Sequence, residues 1–183
     1  MILRALASLS LMVLASPLLH GGEPAATEPG FARLDNGSDL VDWLGNKGNW
    51  SVRDGAIHLD AQLPGGSIFH SKTHSRNCII RLQYRASFAA DSGVFLHGGQ
   101  FQVRDYPNSL PDTMPFAPYA RPAGQWNDLE FDVTDGVAVV TLNGHVIARS
   151  WAIGDKPNRG VGLQKETGDF DYRNIRLKEK QGG

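Results

Sequence analysis

The residues best suited to chemistry form a polar row near the middle of the chain. Gln100, Gln102 and Arg104 alternate with Phe101 and Val103, and alternation with a period of two places successive side chains on opposite faces of a β-sheet. Two amides and a guanidinium carry several N–H donors, whereas the buried face of a strand would be apolar. We therefore expect a hydrogen-bonding site on this strand.

The polar row is one arm of a predicted hairpin over residues 92–105. Gly98 and Gly99 supply the expected turn, because glycine adopts positive φ angles without strain. His97 ends the first arm and alternates with Phe95, so we expect its imidazole on the polar face. An imidazole titrates near neutral pH and can move protons. The alternative is a solvent-exposed or merely packed ring.

The rest of the chain has the pattern of short strands separated by turns. The longest alternation covers residues 77–88, where apolar side chains from Cys78 to Phe88 face one way and polar side chains the other. One buried and one wet face is typical of an antiparallel sheet. Asn143-Gly144 is a strong signal for a further hairpin, and no stretch shows a helical period. We predict an all-β, two-sheet antiparallel sandwich.

A proline-rich stretch follows the hairpin, from residue 106 to residue 122. Proline removes backbone N–H donors, so the stretch is predicted to be an ordered loop rather than a strand or helix. Tyr119 and Arg121 lie in it and offer a stacking surface and donors to a ligand. A rigid connection packed by its own aromatic residues is the alternative.

The ends and the overall charge limit the class of protein. Residues 1–21 have a positive start and an apolar run that is shorter than the roughly 20 residues of a spanning helix, which predicts a cleaved signal peptide. Residues 22–30 are a predicted linker, and residues 31–180 the domain. We expect a secreted or periplasmic protein without stable membrane insertion. The net charge of -1 argues against a nucleic-acid partner, and the single cysteine, Cys78, excludes an internal disulfide.

Several short segments occur in a fixed order along the predicted domain. The segments are Leu34-Asp35-Asn36-Gly37, Asn49-Trp50-Ser51-Val52, Ser92-Gly93-Val94-Phe95-Leu96, Gly124-Gln125-Trp126-Asn127, Leu142-Asn143-Gly144, Gly162-Leu163-Gln164 and Tyr172-Arg173-Asn174-Ile175. This ordered set covers essentially all of the predicted domain and resembles one known family, the 3-keto-disaccharide hydrolase domain.

The resemblance implies a concanavalin A-like jelly roll and a secreted bacterial enzyme that acts on sugars oxidised at C3. The implied activity is cleavage of 3-keto-glycosides, by hydrolysis or by elimination and hydration, at a polar concave sheet face. The implied partner is an oligosaccharide or a 3-keto-sugar substrate. A ketone at C3 acidifies the hydrogen at C2. Such chemistry therefore needs a base, a donor for the enolate oxygen and an acid for the leaving group.

The resemblance also suggests which residues take part. Gln102 and Asp105 match a Gln and an Asp of the family, and Gln164 matches the Gln of its Gly-x-Leu-Gln segment. Gln100 stands where the family usually has Glu, and an amide cannot act as a general base. Glu166 stands where the family often has Asp-His-Gly. It is expected to substitute as acid or base, and a solvated loop carboxylate is the alternative.

Two sets of candidate residues follow from the polar row and the resemblance. The expected catalytic residues are His97, Asp105 and Glu166, and the expected substrate-binding residues are Gln100, Gln102, Arg104, Gln164, Tyr119 and Arg121.

No group of His, Cys and Asp residues has the spacing of a metal site, and nothing marks a calcium loop. A divalent metal cofactor stays an open alternative. Two other functions are also open, because Gln100 and the missing His depart from the family pattern. One is a non-catalytic carbohydrate-binding module with a degenerate active site, and the other is a structural sandwich without a sugar site.

Overall fold

The computed structural model describes residues 28–108 and 116–181. The predicted signal peptide lies outside the described residues, as do most of the predicted linker and the middle of the proline-rich loop. The described parts of that loop include two short 3-10 helices, Tyr106–Asn108 and Ala117–Tyr119. Within the described ranges, no helix has the length and apolar character needed to cross a membrane.

The described residues form thirteen β-strands, which confirms the all-β prediction. In chain order the strands are β1 (Ala32–Arg33), β2 (Trp43–Gly45), β3 (Trp50–Arg53), β4 (Ala56–Leu59), β5 (Ile68–His70), β6 (Cys78–Ala86), β7 (Asp91–Leu96), β8 (Gly99–Arg104), β9 (Asn127–Thr134), β10 (Val137–Leu142), β11 (His145–Ala152), β12 (Gly162–Leu163) and β13 (Phe170–Glu179).

The strands form two antiparallel sheets. The eight-stranded sheet has the order β11-β10-β9-β6-β13-β4-β3, and β1 pairs with β13. The five-stranded sheet has the order β2-β5-β12-β7-β8. Among the described strands of the smaller sheet, only β7 and β8 follow one another directly in the chain. The other pairs of neighbouring strands in this sheet are joined by long crossovers. This is the predicted two-sheet sandwich of the jelly-roll type.

The core lies between the sheets. Buried and half-exposed side chains alternate along all of β6, as its sequence predicts. Phe101 of β8 packs edge-on against Phe131 of β9, with ring centroids 5.3 Å apart. Ser92 of β7 and Tyr172 of β13 join the sheets through a buried hydrogen bond of 2.6 Å. The two buried hydroxyls are tolerated there because both are hydrogen-bonded.

The end of β6 differs from the prediction. Phe88 was expected on the buried face, but β6 ends at Ala86 and Phe88 is 75% exposed. Gly124 N donates to Ala86 O, and Ser87 N donates to Asp169 O. The regular alternation of β6 therefore ends before Phe88, and it does not determine on which side the Phe88 side chain lies.

The turn of the central hairpin also differs from the prediction, by one residue. The turn residues are His97 and Gly98, with φ angles of +49° and +82°, and Leu96 pairs with Gly99. Two successive residues with positive φ form the turn that best matches the twist of a hairpin. Gly99 is instead part of β8. A Cβ there would lie 2.4 Å from the backbone nitrogen of Gly154, so close backbone approach requires this glycine.

Candidate functional site

The predicted polar row lies on the solvent-facing side of the five-stranded sheet. Its members on β8 are exposed or half-exposed, whereas Phe101 and Val103 between them are buried. Residues of the neighbouring strand β7 stand opposite them on the same side. The cross-strand pairs are Gln100 with Phe95, Gln102 with Gly93, and Arg104 with Asp91.

A chain of hydrogen bonds runs along this face and joins two carboxylates. Gln100 stands at its centre, where Nε2 donates to Oε1 of Gln102 at 2.8 Å and to Oε1 of Gln164 at 2.7 Å. Gln164 Nε2 then donates to Oε2 of Glu166 at 2.5 Å. On the other side Gln102 Nε2 donates to Oδ1 of Asp91. We call these five residues the amide chain.

The two ends fix the direction of every bond in the amide chain. Asp91 and Glu166 are carboxylates, which only accept hydrogen bonds. Gln102 and Gln164 must therefore turn their N–H groups outward and their carbonyl oxygens inward. The residue between them has to donate twice, and Gln100 does so with its single NH₂ group. A glutamate at this position would bring a carboxylate against two carbonyl oxygens.

The two carboxylates are not equally available to a ligand. Asp91 accepts from Gln102 with Oδ1 and forms an ion pair with Arg104 through Oδ2, at 3.0 Å from Nη2. Glu166 is exposed, and among the described residues its side chain hydrogen-bonds only with Gln164. Glu166 is therefore the carboxylate that a ligand can reach.

The amide chain also leaves hydrogen-bonding groups for a ligand. Among the described residues, Gln102 and Gln164 each use one of their two side-chain N–H groups. The Oε1 atom of Gln100 has no described donor. A guanidinium carries five N–H donors, and Arg104 uses Nη2 towards Asp91. This set of donors and one acceptor suits hydroxyl and carbonyl oxygens.

Buried hydroxyls hold the backbone beneath the amide chain. Ser92 Oγ donates to the backbone oxygen of Gln164 at 2.7 Å, so it accepts from the hydroxyl of Tyr172 at 2.6 Å. The Tyr106 hydroxyl donates to the backbone oxygen of Gln102 at 2.5 Å. Burial raises the pKa of both tyrosines well above the usual value. Both phenols therefore stay neutral and keep donating.

Gly93 gives the amides the space in which they meet. It lies on β7 opposite Gln102, and a Cβ there would lie 2.7 Å from Oε1 of Gln164 and 2.9 Å from Cγ of Gln100. Real Cβ contacts of that length do not occur without a shift of the neighbours. The absence of a side chain at Gly93 is therefore a condition of the amide chain.

Most of the predicted substrate-binding residues come together on this face, as does one predicted catalytic residue. The structure brings together Gln100, Gln102, Arg104, Gln164 and Glu166.

His97 does not lie on the polar face, so its expected placement is wrong. The side chain is only 1% exposed. Its Nε2 donates to the backbone oxygen of His74 at 3.0 Å, and the two imidazoles pack edge-on with centroids 4.4 Å apart. His97 is the first turn residue rather than the last strand residue, so the period of the strand does not direct its side chain.

Asp105 is buried as well, beyond the end of β8. Its Oδ2 accepts from the backbone N–H of Ala89 at 2.9 Å and from Nδ2 of Asn108 at 2.7 Å. Ala89 has a φ of +54°, an unfavourable conformation for a residue other than glycine. The carboxylate therefore holds a strained turn, and no described hydrogen bond joins it to the amide chain.

Tyr119 and Arg121 contact strands of the eight-stranded sheet instead. The Tyr119 ring stacks on His145 of β11, with centroids 4.8 Å apart, and Asn143 donates to its backbone oxygen. Arg121 Nη1 lies 3.2 Å from Oδ2 of Asp128 on β9. Among the described contacts, none places these two residues beside the amide chain.

The sequence prediction missed Asp91. The alternation along β7 could have identified it. Asp91 alternates with Gly93 and Phe95 and therefore lies on the same face of the sheet as these two residues. The pairing of Asp91 with Arg104 follows once the two-residue turn is set correctly. A turn misplaced by one residue shifts every cross-strand partner.

A second polar surface lies on the outer side of the eight-stranded sheet, in a groove of about 490 Å³. Its charged side chains pair with one another, as Arg81 does with Glu130 at 2.5 Å and Arg176 with Glu28 at 3.4 Å. Because these charges are already paired, the groove is a weaker candidate than the amide chain. Among the described residues no group of His, Cys, Asp and Glu is arranged to hold a metal ion.

Comparison with protein families matches residues 30–178 to the 3-keto-alpha-glucoside-1,2-lyase-like domain. A search of curated proteins finds no match to the sequence.

Solved structures of the same architecture include proteins of several kinds. A protein of Parabacteroides distasonis ATCC 8503 with the provisional name of glycosyl hydrolase superposes with a TM-score of 0.66 at 18% identity, over 83% of this chain and 95% of its own. A Bacillus subtilis protein of unknown function with a galectin-like fold gives a TM-score of 0.55 at 13% identity, over 81% of this chain and 94% of its own.

A domain of a carbohydrate-degrading enzyme has the same architecture. Domain 4 of the extracellular arabinanase AbnA from Geobacillus stearothermophilus, solved with arabinotriose, gives a TM-score of 0.51 at 19% identity. The match covers 82% of this chain and 91% of that domain. At such identities the likeness shows a shared fold, the galectin-like and glycosidase type of β-sandwich.

Proposed function

The chain belongs to the family of 3-keto-alpha-glucoside-1,2-lyase-like domains, matched over residues 30–178, and from that premise we propose that it cleaves 3-keto-glycosides on the amide-chain face. The observation that carries the proposal is the amide chain itself, which ends in the exposed carboxylate of Glu166. It supplies donors for sugar oxygens beside a base that a substrate can reach. Elimination next to a ketone requires these groups.

The proposed reaction begins at the C2 hydrogen, which the C3 ketone makes acidic. Glu166 takes this proton, and the C–H electron pair forms an enolate whose oxygen accepts hydrogen bonds from Arg104 or Gln102. The C3 ketone then re-forms, a double bond forms between C1 and C2, and the C1 substituent leaves with its bonding electrons. The protonated Glu166 returns its proton to the departing oxygen. Water then adds across the double bond.

The choice of Glu166 as the base depends on exposure. Asp91 has both carboxylate oxygens engaged, by Gln102 and by Arg104. His97 and Asp105 are buried. Of the residues expected to be catalytic, Glu166 is the one on the face where the substrate would bind.

Sugar binding without turnover is the second candidate function. The observation in its favour is Gln100, because the centre of the face is an amide where the family usually has Glu. Gln102 and Gln164, each with one spare N–H group, and the Oε1 atom of Gln100 are sufficient to bind hydroxyls. This candidate requires saturable binding of a sugar and an absence of product.

The glutamate variant Glu166→Gln tests the proposal. We expect kcat on a 3-keto-α-glucoside to fall by about 100-fold or more, the usual contribution of a general acid–base group. We expect a small change in KM, because the amide oxygen still accepts from Gln164. Initial rates should be measured with and without added divalent metal ions, so that any dependence on a metal is measured in the same experiment.

The matched control is Glu130→Gln, which removes a carboxylate from the outer side of the other sheet. Its ion pair with Arg81 is half-exposed and such pairs contribute little to stability, so we expect unchanged kinetics. Equal activity of Glu166→Gln and the wild type would exclude Glu166 as the base. Sugar binding by a wild-type protein that forms no product would favour the binding module.

A further inference from the structure

The solvent-facing side of the five-stranded sheet changes from polar to apolar beside Gln100. Phe95 of β7 pairs with Gln100, and on its other side Gly162 of β12 pairs with Phe95 and with Phe69 of β5. The rings of Phe69 and Phe95 meet above the glycine, with centroids 5.3 Å apart and planes inclined by 39°. We call these two rings the phenylalanine platform.

Gly162 makes the platform possible. A Cβ at this position would lie 2.5 Å from Cδ1 of Phe69 and 3.0 Å from Cβ of Phe95. The rings therefore occupy the space that a side chain at Gly162 would take, and they form one continuous surface. The strand order produces the platform, because β12 lies between β5 and β7 and carries a glycine between the two phenylalanines.

On the side away from Gln100, the platform lies next to an apolar side chain and a cation. Leu44 of β2 pairs with Phe69 and is 57% exposed. The guanidinium carbon of Arg159 lies 4.6 Å from the centroid of the Phe69 ring. A guanidinium stacks on aromatic faces, and Arg159 already stacks on Phe69 in this structure. A planar group that rests on the platform would take this place, and the guanidinium would stack on the group instead.

We propose that the phenylalanine platform binds a planar apolar group attached to C1 of the sugar that the amide chain holds. The preferred substrates are then 3-keto-glycosides of aromatic alcohols rather than disaccharides. The inference rests on the proposed function for the position of the sugar. Phe95 and Gln100 are directly paired across the two strands, so a sugar on the amides places its C1 substituent within reach of the rings.

The chemistry of the platform favours an aromatic group over a second sugar. The side chains of Leu44, Phe69 and Phe95 carry no donors or acceptors, so a hydroxyl of a second sugar that faces them gives up water without a new partner. Unmade hydrogen bonds of this kind are costly. A flat aromatic group has no such groups to satisfy and gains both ring stacking and contact with Arg159.

The test compares the phenyl and methyl glycosides of 3-keto-glucose. The ratio of their kcat/KM values should be measured in the wild type and in Phe69→Ala, Phe69→Leu and Phe88→Ala. Phenoxide is intrinsically the better leaving group, but this advantage is the same in every variant and cancels when the ratios are compared. Phe88 is a matched control, because it is an exposed phenylalanine that follows β6 in the other sheet.

We expect the phenyl-to-methyl ratio to fall by about tenfold in Phe69→Ala, which is the upper range for one aromatic contact. Phe88→Ala should keep the wild-type ratio. Phe69→Leu keeps the apolar volume in β5 and so protects the fold, and it should lower the ratio by losing the planar ring. An unchanged ratio in folded Phe69→Leu and Phe69→Ala would overturn the platform.

Failure of the proposed function would look different. If the wild type turns over neither glycoside, the proposed reaction is contradicted, and the same comparison is made with dissociation constants from calorimetry. Tighter binding of the phenyl glycoside that is lost in Phe69→Leu would still support the platform. Equal binding of the two glycosides, or no binding of either, would overturn it.

Discussion

At the scale of single residues, Gln100 is the centre of the amide chain. A glutamine where the family usually has Glu suggests a lost base, which the reverse substitution would restore. The structure gives Gln100 another task, because it donates to Gln102 and to Gln164 at the same time. It acts as a positioning residue for the two outer amides.

We therefore predict that Gln100→Glu lowers activity instead of raising it. The new carboxylate would face two carbonyl oxygens, and turning either amide round would set its oxygen against Asp91 or Glu166. Loss of two side-chain hydrogen bonds on a half-exposed face costs about 1–2 kcal/mol, so kcat/KM should fall by about tenfold.

Gln100→Asn and Gln100→Met complete this comparison by kcat/KM on one 3-keto-glucoside. Asn keeps the two donors on a shorter side chain, whereas Met keeps the length without donors. We expect Asn to retain more activity than Met or Glu. Higher activity in Gln100→Glu than in the wild type would show a degenerate site and contradict the positioning role.

At the scale of strands, β7 contributes to the site in two ways. It supplies the carboxylate of Asp91, and it has no side chain at Gly93. Gly93 leaves room for the amide chain, and Ser92 beside it points inward and bonds to the backbone that carries Gln164. Successive residues of one strand thus serve the two faces of the sheet. The strand both anchors the site to the core and opens space above it.

The substitution Gly93→Ala tests this reading of β7. Its Cβ would meet the ends of the Gln100 and Gln164 side chains, at 2.9 Å and 2.7 Å. These ends can move, so we expect the unfolding free energy to change by less than about 1 kcal/mol. The amide chain would be broken, and activity should fall by about tenfold or more.

Gly66→Ala is the control, because its nearest neighbour would be Cβ of Asn46 at 3.7 Å, an ordinary contact. Urea unfolding and initial rates should be measured on both variants. Loss of activity in both to the same degree would mean that the effect of Gly93→Ala is not specific to the site.

Local sequence patterns predict some elements better than others. β6 and β8 alternate strictly, and the period alone correctly assigned their faces. The face of His97 was predicted wrongly because the turn begins one residue earlier than expected. His97 is therefore a turn residue, and the alternation of the strand does not apply to it. The contact between Phe69 and Phe95 could not be predicted locally, since β12 comes from far along the chain to lie between their strands.

At the scale of the whole molecule, two histidines buried in the sandwich make its free energy of unfolding depend on pH. Burial is the main cause that lowers the pKa of His70 and of His74. The unfolded chain therefore binds protons that the folded chain does not. Their contribution to stability is complete above the ordinary imidazole pKa of about 6.5 and is lost as the pH falls below it.

We predict that the free energy of unfolding falls between about pH 7.5 and pH 5.5, by at most about 1.4 kcal/mol per pH unit for each histidine. Urea unfolding at several pH values measures this slope. His74→Gln should weaken the dependence, whereas His145→Gln, at an exposed position of β11, should preserve it. A slope that is unchanged in His74→Gln would contradict the assignment.

The two-sheet fold and the family follow from patterns along the chain, whereas the proposed reaction depends on the assembled sheet. The alternating short strands and turns of the sequence predicted the sandwich, and the family comparison covers residues 30–178. The proposed reaction depends on how side chains from β7, β8 and the segment after β12 meet, which is a property of the assembled sheet. Asp91, Gln100 and Glu166 acquire their roles only through contacts between strands.

The most direct test of the central claim is an NMR time course of the wild-type protein with a 3-keto-α-glucoside in D₂O. Removal of the C2 proton followed by release of the C1 substituent predicts that the sugar product carries deuterium at C2. It also predicts that the rate of product formation depends on Glu166. Cleavage that retains the original C2 hydrogen would contradict the elimination, and no cleavage by folded protein at saturating substrate would contradict the proposed activity.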